Sequence, residues 1–285
     1  MEIMKQRLIT SVIALSLLTI APAWGQTEVI KRPAIKKISQ SSSSPFNYKV
    51  FKCWVSSDGK AVAIEARKGV IITGNLVIPS TIRNNGEKYD VTEILYEAFD
   101  ECTEMSSVSI PEGVIRIGGS AFNKCSNLTS VTLPSTLQII ESHAFLGCKK
   151  LPSLKIPDSV IEIGDDILRD NDELQTPVYN SKFFVRMPMK FQGAYNIPEG
   201  IEEICFGSCN GCKGLTSVVI PKSVTKVKGY SFIGCSSLSS VSISNAALDN
   251  IEYRSFSFCP KLEGLTVRYP DGSTQIVPLK DNWSY

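Results

Sequence analysis

One histidine, nine cysteines and a run of carboxylates are the residues through which this 285-residue chain could do chemistry. His143 stands by itself. Acid–base work on an imidazole needs an orienting partner and a nucleophile brought within reach, and nothing near His143 marks either. The chain has no Gly-x-Ser-x-Gly elbow, no phosphate loop and no His-Glu-x-x-His pair. Cys205, Cys209 and Cys212 have the outline of a metal cluster, but zinc needs a fourth ligand that the local sequence does not offer. Asp158, Glu162, Asp165, Asp166, Asp170, Asp172 and Glu173 lack the spacing of a calcium loop and read as a solvated face. The residues therefore point to no catalytic group, no metal and no cofactor. An odd number of cysteines excludes complete pairing within the chain, although Cys53, Cys205 and Cys209 could pair locally in an oxidising compartment.

Positioning such sparse chemistry falls to the elements around it, and these announce themselves by repetition. Ile-Pro or Leu-Pro pairs begin at Ile78, Ile110, Leu133, Ile156, Ile197 and Ile220, and Ile243-Ser244 makes a seventh. The intervals are 32, 23, 23, 41, 23 and 23 residues. An Ile or Val follows seven residues later at Ile117, Ile140, Ile163, Ile204 and Val227. An Ala-Phe or Ser-Phe follows at Ala121-Phe122, Ala144-Phe145 and Ser231-Phe232, with a cysteine three residues on at Cys125, Cys148 and Cys235. A strand-like piece closes the unit, as in Leu128-Thr129-Ser130-Val131-Thr132-Leu133. Period-two alternation turns Leu128, Val131 and Leu133 inward and Ser130 and Thr132 outward. The proline ends the strand by withholding a donor. One such unit cannot enclose its own apolar face, whereas stacked units share one core. The reading is a solenoid of about eight 23-residue coils, a right-handed α/β superhelix of short parallel strands and short helical turns, roughly 40 Å long at the strand spacing. Its Phe and Cys positions are core filling. Cys102, Cys125, Cys148, Cys212, Cys235 and Cys259 share one slot, and three in succession cannot pair off, so a buried column of free thiols is expected.

The unit Ile110-Pro111-Glu112-Gly113-Val114 through Ala121-Phe122, Cys125, Leu128 and Val131 resembles the BspA-type leucine-rich repeat of bacterial surface proteins, over about residues 46–267. That resemblance implies a leucine-rich-repeat solenoid and an adhesin-like role at a bacterial surface, with matrix proteins, other cells or glycans as partners. The pattern fails at residues 164–196, where Ile167-Leu168 replaces Ala-Phe and Asn171 replaces Cys.

The flanks divide the chain further. Residues 1–25 read as a signal peptide, with Lys5 and Arg7 before an apolar run over residues 8–20 and small residues at Ala21 and Ala23. Residues 26–45 are a Ser/Lys-rich flexible tether. Residues 46–75 read as a hairpin-like N-terminal β cap with a Ser57-Asp58-Gly59 turn, residues 76–267 as the repeats, and residues 268–285 as a C-terminal cap turning at Asp271-Gly272. No stretch of the mature chain is long enough to span a bilayer. Hydrophobic residues at 43% suffice for a long core, and 30 Lys+Arg against 28 Asp+Glu leave no electrostatic footprint for nucleic acid.

Two surfaces stand as candidates for a partner. The outward strand positions Ser107, Ser109, Ser130, Thr132, Ser153, Lys155, Ser217, Val219, Ser240 and Ser242 form a small, neutral ladder, poor in the Trp, Tyr and Arg of binding hot spots. The segment with Tyr179, Phe183, Phe184, Arg186, Phe191 and Tyr195 concentrates aromatics. It is either a degenerate coil with its rings turned inward or an exposed ledge. The expected function is that of an exported, non-enzymatic protein engaging an extracellular or surface protein or glycan. The alternatives are an envelope spacer without a ligand and a secreted hydrolase with an unrecognised site.

Overall fold

The computed structural model describes residues 37–38 and 45–284. The expected signal peptide, and all of the expected tether except residues 37, 38 and 45, lie outside the described residues. Contacts divide the chain after Lys37, and the account below concerns the unit beginning at Ile38.

That unit is a β-solenoid of about eight coils with little helix. Most coils have two strands. The two-residue strands Arg116–Ile117, Ile139–Ile140 and Glu162–Ile163 stack in parallel, so that Ile94, Ile117, Ile140 and Ile163 stand one above another. The longer strands Met105–Ser109 and Ser130–Thr132 stack in the same way on a second face. This is the one-coil register of the sequence repeat: identical side chains meet because identical slots are laid over one another. The apolar slots give rise to ladders of rings. Phe99, Phe122 and Phe145 stack at 5.3 Å, and Phe232 and Phe256 at 5.2 Å. Offset parallel rings at this spacing contribute about 0.5–1.5 kcal/mol per pair beyond their burial.

Each Ala-Phe-x-x-Cys piece is a pair of linked tight turns, with bonds such as Ala121 N–H to Gly118 O and Cys125 N–H to Phe122 O spanning three residues. Left-handed residues frame every pair. Glu97, Ser120, His143, Asp166, Tyr230 and Arg254 enter it, and Glu101, Lys124, Asp170 and Phe258 leave it, all with φ of 52–61°. The turns also bond to the next coil, as Phe122 N–H does to Ala144 O.

The caps close both ends. Phe46–Tyr48, Phe51–Val55 and Ala61–Ala66 form an antiparallel meander whose last strand runs parallel to Glu87–Ile94. The first interval, nine residues longer than a coil, accommodates the hairpin Thr81–Asn84 with Glu87–Ile94, turning at Asn85 and Gly86, both at positive φ. Ile38 packs on this core and its N–H donates to Glu93 Oε1 (3.0 Å), so the expected tether is already docked at that residue. At the far end Gly264–Arg268 pairs antiparallel with Thr274–Pro278. The turn Asp281–Ser284 then seats Trp283 under the last coil, its indole N–H donating to Ile251 O.

Continuity breaks in the middle. Pro152 and Pro177 fall within the strand positions of successive coils and supply no N–H, and residues 153–155 form no strand. The 41-residue interval holds one ordinary coil followed by a complete coil shortened to the remaining 18 residues. In it the hairpin Val178–Tyr179 with Phe183–Arg186 replaces the usual loop. Phe184 takes the place of the column Ile, in register with Ile204 and then Val227. The buried residues accordingly form two clusters that part between Phe184 and Val185.

Candidate binding surfaces

His143 lies half-buried at the entry to its turn, with φ of 61°, and its N–H donates to Asp165 O. The carboxylates around it serve the frame. Asp158 accepts from Ser181 N–H (2.8 Å), Asp166 from Arg169 Nη1 (2.8 Å), and Glu173 pairs with Lys190. Asp166 Oδ1 has no hydrogen-bond partner and lies against the backbone of Gly207. Burial pushes its carboxyl above the usual range, while Arg169, Arg186 and His143 pull the other way. Among the described residues no three His, Cys, Asp or Glu converge on a point where a metal ion could sit.

All nine cysteines are thiols, and every one but Cys102 is buried. The column slot has a definite use. Cys125 Sγ donates to Phe99 O, Cys148 to Phe122 O, Cys235 to Cys209 O and Cys259 to Phe232 O, at 3.1–3.2 Å. Each thiol thus satisfies a carbonyl of the preceding coil while filling apolar space. Cys209 holds the position of the column Phe, as its register implies. Burial pushes Cys53 and Cys148 up to about 12, and raises Cys125 and Cys205 as well. Thiols so held are poor nucleophiles and poor metal ligands.

The aromatic segment answers to both readings in part. Phe184 is 0% exposed and Arg186 4%, so neither offers a surface and both drop out of the candidate set. Phe184 is a column residue, and the Arg186 guanidinium is spent on the carbonyls of Gly207 and Asn210 in the next coil. Tyr179, Tyr195 and Phe191 cluster on Phe184, with ring centroids 5.6–6.4 Å apart along the chain of contacts. Burial pushes the Tyr195 phenol up to about 12. Phe183, Phe191 and Tyr195 are half-buried, and only Tyr179, at 43%, stands well out. The strand face is open as expected: Ser130, Thr132, Ser153, Lys155, Val219 and Ser240 are exposed, and Ser107, Ser109, Ser217 and Ser242 half-exposed. It lies on two sheets separated by the proline-bearing coils.

A third surface escaped the sequence reading. On the turn edge of the last three coils, Phe206 meets Tyr230 at 5.2 Å, and Tyr230 meets Tyr253 at 5.5 Å. The Arg254 guanidinium lies over Tyr253 at 4.9 Å, and Tyr253 is 51% exposed. The three rings come from adjacent slots, because Phe206 and Tyr253 stand one residue before the left-handed position that Tyr230 itself occupies. Gly229 makes room: a Cβ there would approach Phe206 Cε2 to 3.5 Å and Tyr253 O to 3.1 Å. Tyr230 shares its positive φ with Glu97, Ser120, His143, Asp166 and Arg254 at the same turn entry, so this conformation belongs to the repeat. The signal was present in the register: the slot of Phe206 and Tyr253 is filled by Gly119, Ser142 and Asp165 in middle coils and by the exposed Tyr96 in the first, and the slot of Tyr230 by Ser120, His143 and Asp166.

The family model described as the BspA type leucine rich repeat region matches in six copies, over residues 92–187 and 189–276. Among solved structures, a leucine-rich repeat protein of T. pallidum is 24% identical, with a TM-score of 0.51, covering 77% of this chain and 91% of that one. One from Bacteroides capillosus is 30% identical over 48% of this chain and 98% of that one, with a TM-score of 0.44. The pneumococcal vaccine antigen PcpA is 16% identical over 79% and 81%, with a TM-score of 0.46. Only the first superposes closely enough to bear on the fold. No match was found among curated protein sequences.

Proposed function

The chain belongs to the BspA-type leucine-rich repeat family, and on that premise we propose that it is a non-enzymatic binding protein, exported to act outside the cytoplasm, which engages a macromolecular partner, protein or glycan, through its repeat surface. The observation that carries this reading is the strip of Phe206, Tyr230 and Tyr253 with Arg254 stacked upon it. Tyr and Arg dominate binding hot spots because they bring large area and hydrogen bonding at low entropic cost. A rigid ladder of coils holds these rings in place before any partner arrives, which lowers the ordering cost of association. The leader-like residues 1–25 support export, and no helix among the described residues is long and apolar enough to cross a membrane.

The test is capture of matrix proteins and glycans on an array by the chain and by a variant carrying Tyr230→Ala and Tyr253→Ala. The expected result is saturable capture that the double change reduces at least tenfold while the thermal transition stays in place. Capture indifferent to both changes removes the strip from the reading. The absence of any saturable ligand favours a spacer, the role that the small, neutral Ser/Thr face would serve by resisting edge association.

A further inference from the structure

Along the ends of four successive strands the loop edge opens into a cleft of about 480 Å³, lined among others by Glu199, Lys222, Ser244, Asn245, Arg268 and Tyr269. Its size falls within the range of small-molecule sites. Its origin is visible in the repeat. Every earlier pair of this kind ends in proline, whereas here Ser244 follows Ile243 and the loop swells into the short helical turn Asn245–Leu248. In the first half of the solenoid the same edge is laced shut, with the Glu112 carboxylate accepting from Ser135 N–H, Ser135 Oγ and Thr136 N–H of the next coil. At Glu199 the loop residue of the next coil is Lys222, so this carboxylate no longer faces a serine, and the coils are joined beside it by Gly200 N–H donating to Ser223 Oγ (3.1 Å).

Three features mark the cleft as built. Ser244 is 8% exposed, yet its hydroxyl has no hydrogen-bond partner and does not cap the turn it precedes. A buried hydroxyl left unpaired is costly, and a bound ligand that reaches it would recover that cost. Arg268 is the register partner of Ser244, and its guanidinium reaches past the Ser244 strand to donate to Ile220 O. One Nη is thereby anchored, and the rest of the fork remains for an anion. Tyr269 is fixed by its hydroxyl contact with Gln275 Oε1 and supplies an aromatic wall.

We propose that this cleft binds a sugar bearing a single carboxylate, such as a uronic acid. Arg268 and Lys222 take the carboxylate, Arg268 through its planar fork. Ser244, Asn245 and Glu199 take ring hydroxyls, and the apolar face of the sugar lies on Tyr269. With Glu199 beside them, Arg268 and Lys222 leave one net positive charge in the cleft, which matches a single carboxylate and not a doubly charged phosphate, and Glu199 can accept from a ring hydroxyl. This site is separate from the aromatic strip and does not depend on it.

The experiment is calorimetric titration of the full chain with D-glucuronic acid, D-galacturonic acid, an oligosaccharide ending in glucuronic acid, D-glucose and an N-acetylated dipeptide with a free carboxylate. Saturable binding of at least one uronic acid is expected, and no heat from glucose or the dipeptide at the same concentrations. Tighter binding of the oligosaccharide than of the free acid would identify a chain end as the source of the ligand. Arg268→Gln and Lys222→Gln should each weaken binding about tenfold or more, as loss of a charged hydrogen bond does, and Ser244→Ala several-fold. Lys222 is exposed, so its variant keeps the test valid if Arg268→Gln fails to fold. Equal binding of glucose, binding of the dipeptide instead, no binding of any acidic sugar, or indifference to Lys222→Gln would each overturn the proposal. Tyr230→Ala with Tyr253→Ala should leave uronate binding unchanged, so failure at the strip and failure at the cleft are distinguishable.

Discussion

At the scale of single residues, the thiols show how a repeat turns a reactive group into a structural one. In the folded chain only Cys102 is not buried. A native titration with an aromatic disulfide reagent should therefore find no more than one fast thiol, and nine after unfolding in urea. Rapid reaction of several native thiols would contradict the column. The same burial sets a pH dependence. An exposed cysteine ionises near 9.0, whereas folded Cys53 and Cys148 hold their protons to about 12. Below 9 both states keep the proton and stability is unaffected. Between 9 and 12 the unfolded chain releases protons that the folded chain retains, so stability falls as pH rises through that window. Thermal midpoints measured from pH 7 to 11 should show the decline, and Cys148→Ala should make it shallower. Removal of a stacked ring is a packing matter instead: Phe122→Ala should cost about 3–5 kcal/mol in urea unfolding.

At the scale of elements, the repeat was legible because one slot meets the same slot of the next coil. Ile117, Ile140 and Ile163 could be placed in a column without coordinates, and so could the hairpin caps with their Asp-Gly and Ser-Asp-Gly turns. The short coil was not legible. An 18-residue coil keeps its strand and turn yet loses the spacing by which coils are recognised, and Phe184 replaces an aliphatic residue in the column. The aromatic strip was missed for a related reason: its rings touch across adjacent slots, and a search by register compares only identical ones. The short coil yields a contrast that checks its packing. Phe184→Ala should cost about 3–5 kcal/mol because the ring is a core column residue, while Tyr179→Ala should change stability by less than about 1 kcal/mol. Equally small costs by chemical denaturation would show that the cluster is a surface ledge, and equally large ones that Tyr179 belongs to the core as well. Close approach between coils gives a second check. A Cβ at Gly164 would lie 2.2 Å from Ser142 N, so Gly164→Ala should destabilise by about 1–3 kcal/mol by forcing the coils apart.

At the scale of the whole solenoid, stability is a chain of neighbour terms, each coil resting on the two beside it. An open end is then the point from which unfolding spreads, and the last coil ends on Trp283. Arg254 N–H donates to Asn282 O and Phe256 N–H to Trp283 O, so the final turn supplies the acceptors that another coil would have supplied. The ring, 1% exposed, covers the apolar slot beneath it. Trp283→Ala should cost about 3–5 kcal/mol of local stability, and the loss should be directional. Amide exchange should accelerate most at Phe256, less at Phe232, and little at Phe122 or Phe145, which lie beyond the break at Phe184 and in the other core cluster. Two clusters joined by a shortened coil are a poor relay for a disturbance at one end. Uniform acceleration across both halves would mean that the solenoid unfolds as one cooperative body, and that the interruption at Pro152 and Pro177 is energetically silent.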